Sequence, residues 1–148
     1  MRAAYSGNLE TVKLLLDHGA SANARDAYGD TPVAYAVMGK HVDVIAALLE
    51  KGGDVNSKAE LDQTPLLSAA GDGDVATINY LINRGAQINA TDVHGTTALM
   101  FAAGFRQPQA MRVLLHRGAD PQMKDHRGRT YLNYAKRGFP DEYLILRR

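Results

Sequence analysis

Residues 26–56 read DAYGDTPVAYAVMGKHVDVIAALLEKGGDVN, and the elements of this stretch recur along the chain at an interval of 33 residues. The positions that keep the interval are glycines shortly after aliphatic pairs, threonines and small residues: Gly19, Gly52, Gly85 and Gly118; Thr31, Thr64, Thr97 and Thr130; Ala3, Ala36, Ala69, Ala102 and Ala135. No insertion breaks the register. Because one supersecondary unit of this size cannot bury its apolar face alone, such a period predicts a stack of repeated units.

The first half of one unit combines a turn with the start of a helix. The run 26–29, Asp-Ala-Tyr-Gly, predicts a tight turn, since the Asp side chain can bond its own loop and glycine accepts a positive φ. Thr31 can cap a helix with its hydroxyl, and Pro32 at the first helical position loses no useful donor. We therefore predict a short helix that begins here and ends near Met38 and Gly39.

The second half of the unit carries the pattern of a longer helix. Ile45, Leu48 and Leu49 have the i, i+3, i+4 spacing of one buried stripe. Gly52 follows, and glycine commonly ends a helix because it adopts the left-handed conformation without strain. One unit is therefore predicted to consist of a turn, a short helix, a longer helix and a loop.

These patterns resemble the ankyrin repeat over the whole chain, most closely in residues 26–56 and 63–89. The family's Gly-Ala dipeptide and turn asparagine are present at several units: Gly19-Ala20, Gly85-Ala86 and Gly118-Ala119; Asn23, Asn56 and Asn89. The resemblance implies an all-α solenoid of about four and a half helix-turn-helix units joined by β-turn loops. The units expected within one domain, 1–148, are approximately 1–25, 26–58, 59–91, 92–124 and 125–148.

Two departures from the family pattern are local. The histidine that usually follows Thr-Pro-Leu is replaced in each unit, by Ala34, Leu67, Met100 and Asn133. In the third unit Ala59 and Asp62 stand where aspartate and glycine are expected. We therefore expect Asp62 to adopt a positive φ, which aspartate does more readily than most residues, or this turn to be remodelled.

Composition restricts the classes of protein that the chain can represent. The longest aliphatic run, 44–49, is too short to span a bilayer, and the absence of cysteine excludes disulfides and thiolate metal sites. The sequence does not determine the cellular compartment, and the cytoplasm is the default expectation. The sequence begins directly at the first helix of a unit, without the turn that precedes it elsewhere. We therefore expect that the sequence is cut from a longer protein rather than that the first unit is an abbreviated cap. At the other end, Leu144 holds the first buried position of a second helix, but Arg147 and Arg148 stand where earlier units have an aliphatic pair. This substitution predicts a terminal unit with a polar outer face.

Catalytic, metal and cofactor sites are not predicted. The five histidines lack metalloprotease spacing, and no nucleotide-binding or nucleophile motif occurs. Residues 71–74, Gly-Asp-Gly-Asp, resemble part of a calcium loop but lack its remaining ligands, so a polar linker between two helices is expected. His18 and His116 precede C-cap glycines, where a cation can interact with the helix dipole.

The positions that the repeat leaves free are the candidate binding residues. The resemblance implies that turn tips and the inner face of the first helices form a concave surface that binds protein partners. The expected contact residues are Tyr28, Asp30, Met38, Leu61, Gln63, His94, Thr96, Phe105, Arg127 and Arg129. By contrast, Tyr35, Phe101 and Tyr134 are expected to pack beside buried alanines. The turn asparagines can be hydroxylation targets in the family, but we expect each to brace its own loop.

The sequence thus favours a non-catalytic, monomeric protein-interaction module. A second hypothesis makes the repeats the targeting domain of an enzyme or larger protein that lies upstream. Binding to nucleic acid is not expected at a net charge of +1, and neither is binding to a membrane.

Charge is nevertheless segregated along the chain. Residues 1–100 carry 7 basic and 12 acidic side chains, whereas residues 101–148 carry 10 basic and 4 acidic ones. We expect a partner's basic segment to lie over the earlier units and its acidic segment over the later ones. The competing explanation is that the basic residues simply make a soluble end cap.

Overall fold

The computed structural model of this chain describes residues 1–137, which contain nine α-helices and one 3₁₀ turn. The α-helices are α1 (Arg2–Tyr5), α2 (Leu9–Asp17), α3 (Pro32–Met38), α4 (Val42–Glu50), α5 (Pro65–Asp72), α6 (Val75–Asn83), α7 (Ala98–Gly104), α8 (Pro108–His116) and α9 (Tyr131–Arg137). The 3₁₀ turn covers Glu60–Asp62. Short and longer helices therefore alternate as the repeat pattern predicts.

The helices form two rows. The first helices of successive units, α1, α3, α5, α7 and α9, contact their neighbours in chain order, and so do the second helices α2, α4, α6 and α8. Each first helix also packs against the second helix that follows it, from α1 with α2 to α7 with α8. This arrangement confirms the predicted all-α solenoid.

The helix boundaries follow from the residues that the sequence places there. Thr31, Thr64 and Thr97 each cap a first helix, because the hydroxyl accepts the backbone N–H three residues later at 3.3–3.4 Å. Proline occupies the first helical position after two of these threonines. Gly52, with φ of 84°, continues the chain beyond α4 in the left-handed conformation.

One leucine position of the second helices shows how the stack forms its core. Leu48, Leu81 and Leu114 are at most 2% exposed, which confirms the predicted stripe. The equivalent residue of the first unit, Leu15, is 48% exposed. Since α2 has a second-helix neighbour, α4, on one side only within the described residues, its outer side chains remain in contact with solvent.

The turn asparagines connect neighbouring units. Asn23 Nδ2 donates to the Gly52 carbonyl at 2.8 Å, and its Oδ1 accepts the Asp54 N–H at 2.8 Å. Asn56 makes the same pair of bonds to Gly85 and Gln87, 29 and 31 residues onward. The expectation that each asparagine braces its own loop was therefore wrong in one respect: the braced loop belongs to the following unit.

The predicted polar end cap at Leu144, Arg147 and Arg148 lies outside the described residues. Within residues 1–137, no helix combines the length and the hydropathy required to span a membrane.

Candidate functional site: an acidic and aromatic groove beside the turn tips

The turns are organised by aspartates that lie inside them. Asp26 Oδ1 accepts the N–H groups of Tyr28 and Asp30, both at 2.9 Å, and Gly29 completes the turn with φ of 78°. Asp92 and Asp125 make the equivalent pairs of bonds two and three units onward. The side chains on the turn thus project from a fixed backbone.

Backbone hydrogen bonds join each turn tip to the next. The Glu60 N–H donates to the Tyr28 carbonyl at 2.9 Å, and the Val93 N–H donates to the Leu61 carbonyl at 3.0 Å. In the same way, the His126 N–H donates to the His94 carbonyl at 2.9 Å. These bonds hold the tips in one row, so side chains of several units can act on a single ligand.

The turn of the third unit differs from its neighbours, as the substitution at Asp62 predicts. Leu61 (φ 59°, ψ 25°) and Asp62 (φ 59°) are both left-handed, and the Gln63 N–H donates to the Glu60 carbonyl at 3.3 Å. Both parts of the expectation are confirmed: Asp62 has a positive φ, and the turn is remodelled. A left-handed leucine is an uncommon, strained conformation, and such strain concentrates at functional sites.

A groove of about 780 Å³ runs beside these tips and along the first helices. Two aromatic pairs line it at different units. Tyr5 and Tyr35 meet edge to face with ring centroids 6.4 Å apart, and the rings of Phe101 and Phe105 are 6.2 Å apart. The groove therefore offers apolar surface in the first two units and again in the fourth.

The wall of the groove between these pairs is acidic. Asp30, Glu60 and Asp72 line it, and none of the described residues that line it is a lysine, an arginine or a histidine. Burial raises the pKa of the Asp30 carboxyl, and the nearby charges of Asp26 and Glu60 raise it further. The contribution of Glu60 indicates that two carboxylates of this wall lie close enough to repel each other.

The structure brings most of the candidate contact residues together. Six of them line the groove, namely Tyr28, Asp30, Met38, Leu61, Gln63 and Phe105. Tyr28 is 67% exposed, and Met38 is exposed as well. His94 and Arg127 are exposed on later tips, outside the groove.

Two candidate residues serve the turns instead. Thr96 is fully buried, and its N–H donates to Asp92 Oδ1 at 2.8 Å. The expectation that the Thr96 side chain contacts a partner from the turn tip was therefore wrong. Arg129 is half-buried, because its Nε donates to Asp125 Oδ2 at 2.7 Å and its Nη2 to the Tyr134 hydroxyl at 2.9 Å.

An aspartate–tyrosine pair behind the turn was not anticipated from the sequence. The Tyr35 hydroxyl donates to Asp26 Oδ2 at 2.7 Å, and the Tyr134 hydroxyl donates to Asp125 Oδ2 at 2.6 Å. The Asp26 partner and burial raise the pKa of Tyr35 to about 12. The repeated spacing of nine residues between the two side chains was the available signal. These aromatic residues pack as expected, and their hydroxyls also hold the turn.

The calcium-like run 71–74 forms the boundary between two helices. Gly73 ends α5 with φ of 67°, and Asp74 caps α6 by accepting the Thr77 N–H at 3.2 Å. This is the linker role that the sequence favoured. Within residues 1–137, no group of three histidine, aspartate or glutamate side chains is arranged to hold a metal ion.

Comparison with known proteins agrees with the repeat geometry. The family model for ankyrin repeats, in three copies, matches residues 1–59 and 56–125. The chain therefore belongs to the ankyrin-repeat family, whose repeats are protein–protein interaction modules and are generally non-catalytic.

One relative is a potassium channel, AKT3 of Oryza sativa subsp. japonica, which is 49% identical over 43 residues. The match covers 29% of this chain and 5% of the channel.

Proposed function

We propose that this chain is a non-catalytic module that binds a protein partner in the groove between the turn tips and the first helices. The observation that carries the proposal is the collection of exposed apolar side chains at one groove. Tyr28 and Met38 are exposed there, although folding does not require an apolar residue at either position. Exposed aromatic and aliphatic anchors within a polar surround are typical of interface hot spots.

The strained turn of the third unit supports the same location. Leu61 holds its left-handed conformation on the second of the four tips and lines the groove. A conformation of this kind costs about 1–3 kcal/mol and persists where the surrounding structure, or function, requires it.

A paired comparison of variants tests the proposal. Tyr28→Ala combined with Met38→Ala should leave the melting temperature nearly unchanged, because both side chains are exposed, and should weaken partner binding by more than about 1 kcal/mol. The matched control is Leu14→Ala combined with Leu132→Ala, which removes two exposed leucines outside the groove.

Partners can be recovered from the source cell by affinity purification with quantitative mass spectrometry. Partners that bind in the groove should be lost from the Tyr28→Ala/Met38→Ala variant and retained by the Leu14→Ala/Leu132→Ala control. Equal retention by both variants would contradict the proposal.

The alternative proposal is that these repeats target an enzyme or another larger protein. Its support is the rice channel, a long chain in which the similar segment is a small part. An immunoblot of the endogenous protein tests it, since a band much heavier than the 16.0 kDa of this chain is expected.

A further inference from the structure

We propose that the groove takes an extended segment of the partner that carries a lysine or arginine side chain between two apolar side chains. This inference rests on the proposed function and specifies the chemistry of the partner. The carboxylates of the groove lie in the second and third units, and its aromatic pairs lie in the first two units and in the fourth, so its occupant should place a cation between two apolar side chains.

Two carboxylates of the acidic wall, those of Asp30 and Glu60, have no counter-ion among the described residues. Asp30 is half-buried and Glu60 is exposed, and both line the groove. The ion pairs found among residues 1–137 join other acids, as in Lys51–Asp17 and Lys58–Asp62, and none includes either carboxylate. A cationic side chain placed between them would relieve their mutual repulsion, which no apolar or anionic ligand can do.

The aromatic side chains favour the same occupant. Tyr28 presents its exposed ring on the groove wall close to the acids, where a lysine or arginine can contact the ring face. Arg84 makes such a contact with Tyr80 elsewhere on this chain, at 5.6 Å from the ring centroid. A ring and carboxylates together select a cation with an apolar stem more strongly than either does alone.

The repeat geometry sets the spacing of the apolar anchors. Tyr35 lies in α3, and Phe105, which is less buried than Phe101, directly follows α7, the first helix two units onward. Packed helices are separated by about 8–10 Å, so these two apolar positions lie about 16–20 Å apart. An extended chain rises about 3.3 Å per residue, and the two apolar side chains of the occupant should therefore be about five or six residues apart.

Selection from a phage-displayed library of random peptides tests the inference without knowledge of the natural partner. The enriched peptides should carry a lysine or arginine between apolar residues at the stated spacing. Binding of a fluorescein-labelled consensus peptide should weaken about tenfold in the Asp30→Asn/Glu60→Gln variant. Replacement of the basic residue by glutamine in the peptide itself should have a similar effect, and this measurement needs no change in the protein.

The control variant is Glu10→Gln/Glu50→Gln, which removes the same charge from exposed positions on the second helices. It should bind the peptide within about twofold of the wild type, because neither residue lines the groove and both are exposed to solvent that screens their charge at 0.1 M salt. An equal loss in this control would overturn the inference, because net charge rather than the groove would then decide binding.

The remaining outcomes separate the inference from the proposed function. Peptides that lose binding with Tyr28→Ala/Met38→Ala but not with Asp30→Asn/Glu60→Gln would overturn the cation inference and leave the proposed function standing. Peptides whose binding is unchanged by either pair of substitutions would count against both the cation inference and the proposed function. Failure to enrich any peptide, enrichment of acidic peptides, or self-association that blocks the groove would each overturn the inference.

Discussion

Phe101→Tyr should stabilise this protein, although it adds a polar group to a buried position. Asp92 and Phe101 are 4% and 5% exposed. Asp92 Oδ1 accepts two backbone N–H groups, but Oδ2 is buried and accepts no hydrogen bond from any described residue. A buried acceptor without a partner costs about 1–3 kcal/mol, so a donor placed there should be favourable.

Two other units show where the new hydroxyl would lie. Nine residues separate the aspartate from the aromatic residue in each case, and the tyrosine donates to Oδ2 at 2.7 Å from Tyr35 and at 2.6 Å from Tyr134. The backbone around each aspartate is also the same, because its Oδ1 accepts equivalent N–H groups. Tyrosine at 101 should therefore reach the Asp92 carboxylate with little rearrangement.

The magnitude follows from the charge of the acceptor. A hydrogen bond to a charged group contributes about 1.5–3 kcal/mol net, and fitting one more atom into a packed site offsets part of this gain. We expect a net stabilisation of about 1–2 kcal/mol. For a chain of this length, that corresponds to a rise of about 2–8 °C in melting temperature.

Thermal and urea unfolding, followed by circular dichroism, measure the effect. A double-mutant cycle with Asp92→Asn isolates the coupling between the two side chains. The reciprocal variant Tyr134→Phe should lose stability, because it leaves the buried Asp125 Oδ2 with one donor fewer. A Phe101→Tyr protein that melts at or below the wild-type temperature, with no coupling to residue 92, would refute this reasoning.

Two further predictions concern stability. Leu81→Ala should cost about 2–5 kcal/mol, because its side chain is fully buried between neighbouring helices, whereas Leu15→Ala should cost much less; equal, sub-kcal losses in denaturant melts would contradict the stacking register. Asp62→Gly should stabilise by a few tenths to about 1 kcal/mol, because glycine adopts the positive φ without strain. Loss of the exposed ion pair between Asp62 and Lys58, at 3.0 Å, offsets part of this gain. The gain should therefore grow in about 1 M salt, where the ion pair is screened, and a gain that shrinks there would count against this explanation.

The candidate site was only partly predictable from the sequence. Tyr28, Met38 and Leu61 were identifiable because the repeat pattern does not require apolar residues at those positions. The burial of Thr96 was missed, since a free position in the repeat is not necessarily an exposed one. Tyr5 was also missed: its unit lacks a visible turn in the sequence, yet it lines the groove beside Tyr35.

Local sequence was sufficient for the helices, their caps and the turns, because those elements depend on residues a few positions apart. Thr31 reaches a backbone N–H three residues onward, and Asp26 reaches groups two and four residues onward. The spacing of 33 added the stacking order, since equivalent leucines must bury one another. The groove and its charge depend instead on contacts between units. The bond from Glu60 to Tyr28 aligns two tips, and only that alignment brings Glu60 close enough to raise the pKa of Asp30.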